Sequence, residues 1–140
     1  MKFLGTGSAL PKKVVSNDDL AQVMDTSDEW IRSRTGIGMR HIAVEETTTS
    51  MAVEAAEKAL ADAKISGCEI DLIIAGTISP DYIFPSLACE VQAAIGAKSA
   101  TAFDLSAGCS GFLFALATAP ISVPDVTNMH WLSGRKPCQK

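Results

Sequence analysis

Residues 106–112 read SAGCSGF, and Cys109 at their centre is the residue of this chain best suited to covalent chemistry. A thiol becomes a nucleophile where its setting stabilises negative charge on sulfur. Cys109 stands where a strand-like run gives way to a helix-like one, and the unpaired backbone N–H groups of a helix start supply such a setting. Gly108 and Gly111 flank it, allowing a tight strand-to-helix turn and close approach of a substrate or another backbone. Hydrolases present a nucleophile by the same strand–turn–helix logic, although GCSG is not the G-x-S-x-G pattern. The plainer alternative stays open: free cysteine often packs as a small buried hydrophobe.

The other reactive residues are less well placed. Cys68 follows a helix stop, and Cys89 lies mid-helix among apolar neighbours. Neither has an electropositive setting, so both read as inert thiols. The four cysteines (Cys68, Cys89, Cys109, Cys138) form no C-x-x-C pair, and no metal site is expected. With no secretion signal or membrane span visible, they are expected to be reduced in a cytoplasmic protein. The early GTGSAL lacks the last glycine of G-x-G-x-x-G, since Leu10 stands there, so a dinucleotide loop is not expected. A cysteine hydrolase of unrelated α/β fold is disfavoured because no recognisable base follows the nucleophile.

The elements that must position these residues are readable from periodicity. MKFLGTGSALP reads as a short strand ending in a glycine turn. Ser16 with Asp19 fits a capping box ahead of Leu20, Val23 and Met24. Thr26 with Glu29 repeats the device ahead of a short helix that Gly36 stops. Ser50 opens an amphipathic helix with Met51, Ala55, Ala59 and Ala63 on its stripe, widened by Val53, Ala56 and Leu60, ending near Gly67. Residues 71–77 (DLIIAGT) form a continuous apolar run of the kind buried on both faces of a parallel sheet. A helix follows over PSLACEVQAAIG, then a second buried strand over residues 99–106. Residues 109–119 are apolar all round and predict a buried helix. Strand–helix–strand–helix at spacings of about 30 residues is the rhythm of an α/β fold.

The chain has 140 residues, enough for one core, and 47% of them are hydrophobic, which excludes disorder by composition. A net charge of −4 with scattered basic residues argues against nucleic acid as a partner. The Lys12-Lys13 pair reads as a solvated loop.

Five segments come in a telling order: GTGSALP, SNDDL, DTSDEWIRSRTGIGMRHIA, ISPDYIFPSLACEVQAAIGA and AFDLSAGCSGFLFAL. Together they closely resemble the N-terminal part of the 3-oxoacyl-ACP synthase III (β-ketoacyl-ACP synthase III) family, over residues 1 to about 119. The resemblance implies an incomplete, N-terminal portion of a thiolase-like αβαβα fold. It implies an acyltransferase that condenses an acyl-CoA such as acetyl-CoA with malonyl-ACP, releasing CO₂ and CoA, at the start of type II fatty acid synthesis. Cys109 matches the family's acyl-accepting cysteine, and its backbone N–H would help to hold the oxyanion. Trp30 matches the tryptophan that stacks on the CoA adenine, with Thr26 and Arg34 as neighbours of the nucleotide. Phe84 matches a residue that reaches across the homodimer interface into the partner's acyl pocket. Read without the family, Trp30 and Phe84 are core aromatics and Thr26 a helix cap. The resemblance implies no cofactor beyond the CoA thioester that is the substrate. A hydroxymethylglutaryl-CoA-synthase-like enzyme fits DEWIRSRTG less well, and a non-catalytic, truncated dimerisation partner is a further alternative.

The family's catalytic histidine and asparagine match nothing here. His41 falls on a structural position, and Asn17 and Asn128 match neither role. Residues 120–140, holding His130, Trp131 and Cys138, break the pattern, with two prolines in their first five positions. Read from the third base of each codon, the tail is compatible with YIRSGRYKHALVIGAEALSK, which is what the family shows next. Met129 and Trp131 have one codon each, and across MHW the shifted reading must give Ala-Leu. The expectation is therefore residues 1–119 as a partial thiolase-like half-domain, and 120–140 as an out-of-frame tail from a pseudogene or a sequencing error. Such a product is expected to leave its sheet unfinished, to be poorly soluble and to be inactive alone.

Overall fold

The computed structural model describes residues 3–122 and 129–133. These residues form two units, one of residues 10–46 and the other of 3–9 with 47–133.

In the smaller unit, strand β1 (Lys13–Ser16) leads directly into helix α1 (Asn17–Ala21). Ser16 caps it with the expected box, its hydroxyl accepting from the Asp19 N–H while the Asp19 carboxylate accepts from the Ser16 N–H. Helix α2 (Asp28–Thr35) follows and ends at Gly36, whose φ of +71° is the left-handed conformation that favours glycine. Strand β2 (Met39–Ile42) returns antiparallel to β1, with Lys13 opposite Ile42 and Ser16 opposite Met39.

The larger unit is built on a parallel sheet. Helix α3 (Thr48–Ala63) precedes strand β3 (Leu72–Gly76), and helix α4 (Leu87–Ala94) precedes strand β4 (Thr101–Leu105). Helix α5 (Gly111–Ser122) and strand β5 (Met129–Ser133) close the order. The strands lie β4-β3-β5, all parallel. Leu72, Ile73, Ile74 and Ala75 are fully buried, as their continuous apolar run requires of a strand covered on both faces. Ile73 and Ala75 pack with Ala52, Ala56 and Leu60 of α3 and with Leu87, Ala88 and Val91 of α4. Leu72 and Ile74 point the other way, onto Ala115 and Ala119 of α5. Each large side chain so buried stabilises the unit by roughly 1.5–3 kcal/mol.

Several expectations need correction. Over the described part of MKFLGTGSALP, residues 3–11, no strand forms; residues 3–9 lie along α3, where the Thr6 N–H donates to Asp62 at 2.8 Å. Gly5 and Gly7 approach the α3 backbone so closely that a Cβ on either would overlap it. The cap of α2 is Ser27 rather than Thr26, its hydroxyl accepting from the Trp30 N–H. Helix α3 starts three residues before its expected start, capped by Thr47, with Ser50 completing the box. Its buried stripe takes in Ala56 and Leu60, which the expected stripe included, together with Ala52, which it did not, and it stops at Lys64 instead of Gly67. Gly67 instead starts a 3-10 turn, Gly67–Glu69, pressed against the Ile95 carbonyl. Strand β4 is half-buried rather than buried, because it lies at the edge of the three strands described. Helix α5 is not wholly buried: Ala115 and Ala119 face the sheet while Leu113 and Phe114 face outward. It continues through Pro120 to Ser122, and β5 supplies β3 with a second neighbour where no strand was foreseen.

Candidate functional site

Cys109 does not open an α-helix. It sits in a 3-10 turn, Gly108–Ser110, between β4 and α5, and its thiol is exposed. The reading of Cys109 as a small core residue is therefore excluded. Gly108 has φ +52°, so the turn needs the conformational freedom of glycine there. Gly111 lets α5 start against Gly76 at the end of β3, where a Cβ on Gly76 would lie 3.3 Å from the Gly111 carbonyl carbon. The thiol thus stands beyond the C-terminal ends of β3 and β4, where open parallel sheets gather their ligands.

The segment 77–86 leaves β3 at this same end and is tied down at several points. Thr77 N–H donates to the Leu105 carbonyl at 3.2 Å. The Thr48 hydroxyl donates to the Ser79 carbonyl at 3.1 Å, and Asp81 accepts from the Thr48 and Thr49 N–H groups at the start of α3. Asp104 of β4 accepts from the Leu87 and Ala88 N–H groups, both at 2.8 Å, at the start of α4. Between these ties Tyr82, Ile83 and Phe84 project outward, and Phe84 is 89% exposed, which excludes its reading as a core aromatic. Asp81, Asp104 and Gly76 were not picked out in the sequence, since a carboxylate capping a distant helix leaves no local signature.

In the smaller unit, Trp30 and Arg34 lie four residues apart on α2 and so share a face. The Arg34 guanidinium carbon is 4.5 Å from the centroid of the Trp30 ring. Trp30 is 53% exposed and is not a core anchor. With Asp25, Thr26 and Ser27 it lines a shallow depression of about 300 Å³. Thr26, relieved of the capping role by Ser27, is half-buried at its edge. The other alternative for this unit is met as expected: His41 is a structural residue, its Nδ1 2.6 Å from the Pro11 carbonyl oxygen. The Asn17 amide, followed by burial acting against it and then by Arg32, holds the Asp28 carboxyl below its ordinary value, with the net direction downward. Cys68 is exposed, its thiol donating to the Ser66 hydroxyl, and Cys89 is half-buried, its thiol directed at the Ala102 carbonyl of β4. His130 and Trp131 lie in β5 without a described side chain, and Cys138 lies outside the described residues. Among the described residues no helix is long and apolar enough to cross a membrane.

A parallel sheet with helices on both faces, presenting a glycine-flanked cysteine beyond its strand ends, matches part of the thiolase-like fold. Over most of its length it is similar to part of the β-ketoacyl-[acyl-carrier-protein] synthase III proteins. The synthase III of Streptococcus suis is 63% identical over 110 residues, 79% of this chain and 34% of that protein. A synthase III of Bacillus anthracis is 59% identical over 118 residues, 84% of this chain and 38% of that protein. Among solved structures, 3-oxoacyl-[acyl-carrier-protein] synthase III from Aquifex aeolicus matches with a TM-score of 0.90 at 51% identity, over 94% of this chain and 44% of that one. The chain therefore spans little more than a third of the length of the curated relatives it matches. No protein-family model matches it.

Proposed function

We propose that this chain carries the acyl-accepting half of an initiating condensation. The Cys109 sulfur attacks the carbonyl carbon of an acyl-CoA thioester, and the carbon–sulfur bond to CoA breaks. CoA leaves as its thiolate and takes up the proton that Cys109 released, and the acyl group stays on Cys109 as a thioester. Trp30 stacks on the adenine of CoA, Arg34 meets its phosphates and Thr26 borders the nucleotide. CoA enters as substrate, and no further cofactor takes part. The second half-reaction would bring malonyl-ACP, lose CO₂ and form 3-oxoacyl-ACP, in the cytoplasm. The family's histidine and asparagine serve that second step, and Cys109 serves the first.

The observation that carries this reading is the exposed thiol on its glycine-bounded turn at the strand ends. Incubation with radiolabelled acetyl-CoA tests it. The expected result is label bound to the protein, lost in Cys109→Ser and retained in Cys68→Ser. An unlabelled, folded protein overturns the half-reaction.

The projecting Phe84 favours a second role. In a homodimer, or as the truncated partner of a full-length synthase, it would enter the other subunit's acyl pocket. Co-purification with a full-length synthase, weakened by Phe84→Ser, is the corresponding result.

A further inference from the structure

Helix α2 has eight residues and buries none of them. Helices that short are marginal in water by themselves. Besides its Ser27 and Gly36 caps, one side chain outside the helix meets both of its ends. Asn17 is only 1% exposed. Its Nδ2 donates to Oδ1 of Asp28, the first residue of α2, at 2.7 Å, and to the carbonyl of Ile37, just past the Gly36 cap, at 2.8 Å. Its Oδ1 accepts from Nη2 of Arg40 on β2, and the other guanidinium nitrogen of Arg40 donates to the Ser16 carbonyl at 3.2 Å. The Asn17 backbone N–H donates to the Gly38 carbonyl at 3.3 Å. A buried amide costs free energy unless its hydrogen bonds are made, and the two that Nδ2 donates are made only with α2 in its present place.

The face bearing Trp30 and Arg34 is fixed between those anchors. Trp30 lies two residues after Asp28, and Arg34 three before Ile37. We propose that Asn17 is a positioning residue: by clamping both ends of α2 to β2, it orients the Trp30–Arg34 face that receives the adenine and phosphates of CoA. This rests on the reading of that face given above. Asn17 touches no substrate itself and acts through the helix it holds.

The test uses the full chain carrying Trp131→Phe, so that quenching on titration with CoA reports Trp30 alone. Asn17→Asp keeps the shape but turns the donating nitrogen into an oxygen facing the Asp28 carboxylate and the Ile37 carbonyl. Its Kd for CoA is expected to rise about tenfold or more, the scale of losing hydrogen bonds to a charged group. Amide exchange in α2 is expected to quicken while β1 and β2 stay protected. Asn17→Asp combined with Asp28→Asn restores a donor and an acceptor between positions 17 and 28, though not toward the Ile37 carbonyl, and is expected to recover part of the affinity, which no residue that merely fills space would show. Should Asn17→Asp fail to fold, that double variant decides alone, and a folded double variant whose Kd stays about tenfold or more above the parent's overturns the role. A parent protein with no saturable quenching sinks the CoA reading and this inference with it. Saturable quenching in the parent, with a Kd for folded Asn17→Asp within about twofold of it, sinks the positioning role only.

Discussion

Glu46 shows how much one exposed carboxylate can organise. Its oxygens accept from the Lys12 N–H at 2.9 Å and from the Val44 N–H at 3.1 Å, tying the entry to β1 against the chain that leaves β2. Those backbone hydrogen bonds, the Lys12 one foremost, hold its carboxyl at about 2, well below the ordinary 4.5. A folded-state value lowered in this way means stability that is fully present above pH 4.5 and is lost as pH falls through about 2. Asp19 and Asp28, also lowered by their hydrogen bonds from Ser16 and Asn17, act in the same direction. Amide protection of β1 and β2, followed from pH 5 down to pH 2, is expected to decline in the parent and to decline less steeply in Glu46→Gln. Parallel profiles for the two proteins would show that the carboxylate's ties do not matter to the fold. None of these pairs announces itself by composition. Only the Ser16–Asp19 box was legible in the sequence, because its two partners are three residues apart.

Elements were legible where burial alone determines them. Strand β3 could be read from its apolar run and the Gly36 stop from glycine's tolerance of positive φ, and both occur where expected. Cys109 could be found because glycines flank it, and Trp30 and Phe84 only through the family's motifs. Boundaries failed where a neighbour outside the segment decides them. Helix α3 starts early because Asp81, more than thirty positions away, accepts from its first N–H groups. The N-terminal run is no strand because its glycines lie on α3 instead of on a sheet edge. Asp104 is the sharpest case, an acid inside a strand whose carboxylate caps another element. Without it α4 loses two acceptors for its first N–H groups, and the tie between β4 and the Phe84 segment goes with them. Asp104→Ala is expected to destabilise the larger unit by about 1–2 kcal/mol, the usual scale for a lost cap, seen as a lower denaturant midpoint at unchanged slope. An unchanged midpoint would mean that solvent satisfies those N–H groups equally well.

For the molecule as a whole, the outstanding matter is the apolar surface that the larger unit leaves open. Leu113 and Phe114 on α5, and Ile78, Tyr82, Ile83 and Phe84 beyond β3, are exposed, more than scattered single residues would explain. We propose that residues after about 119 are read out of frame, displaced by one or two bases near Thr118–Pro120. The shifted reading supplies His-Ala-Leu-Val-Ile-Gly-Ala-Glu, and its Ala-Leu-Val-Ile-Gly falls within about a residue of the segment that runs beside Leu72–Gly76. Such an apolar run, rich in β-branched residues, suits a parallel strand covered on both faces. Sequencing the gene is the first check, and the expected result is a shifted frame that stays open past codon 140 and reaches a histidine and an asparagine in the family's motifs. Stop codons just downstream in that frame would end the proposal. The second check is physical. A chain carrying the shifted residues in place of 119–140 is expected to be more soluble and to melt at a higher temperature than the present one, because β3 then gains a neighbour of matching character. Equal solubility and equal melting would leave the compatibility of the codons as a coincidence.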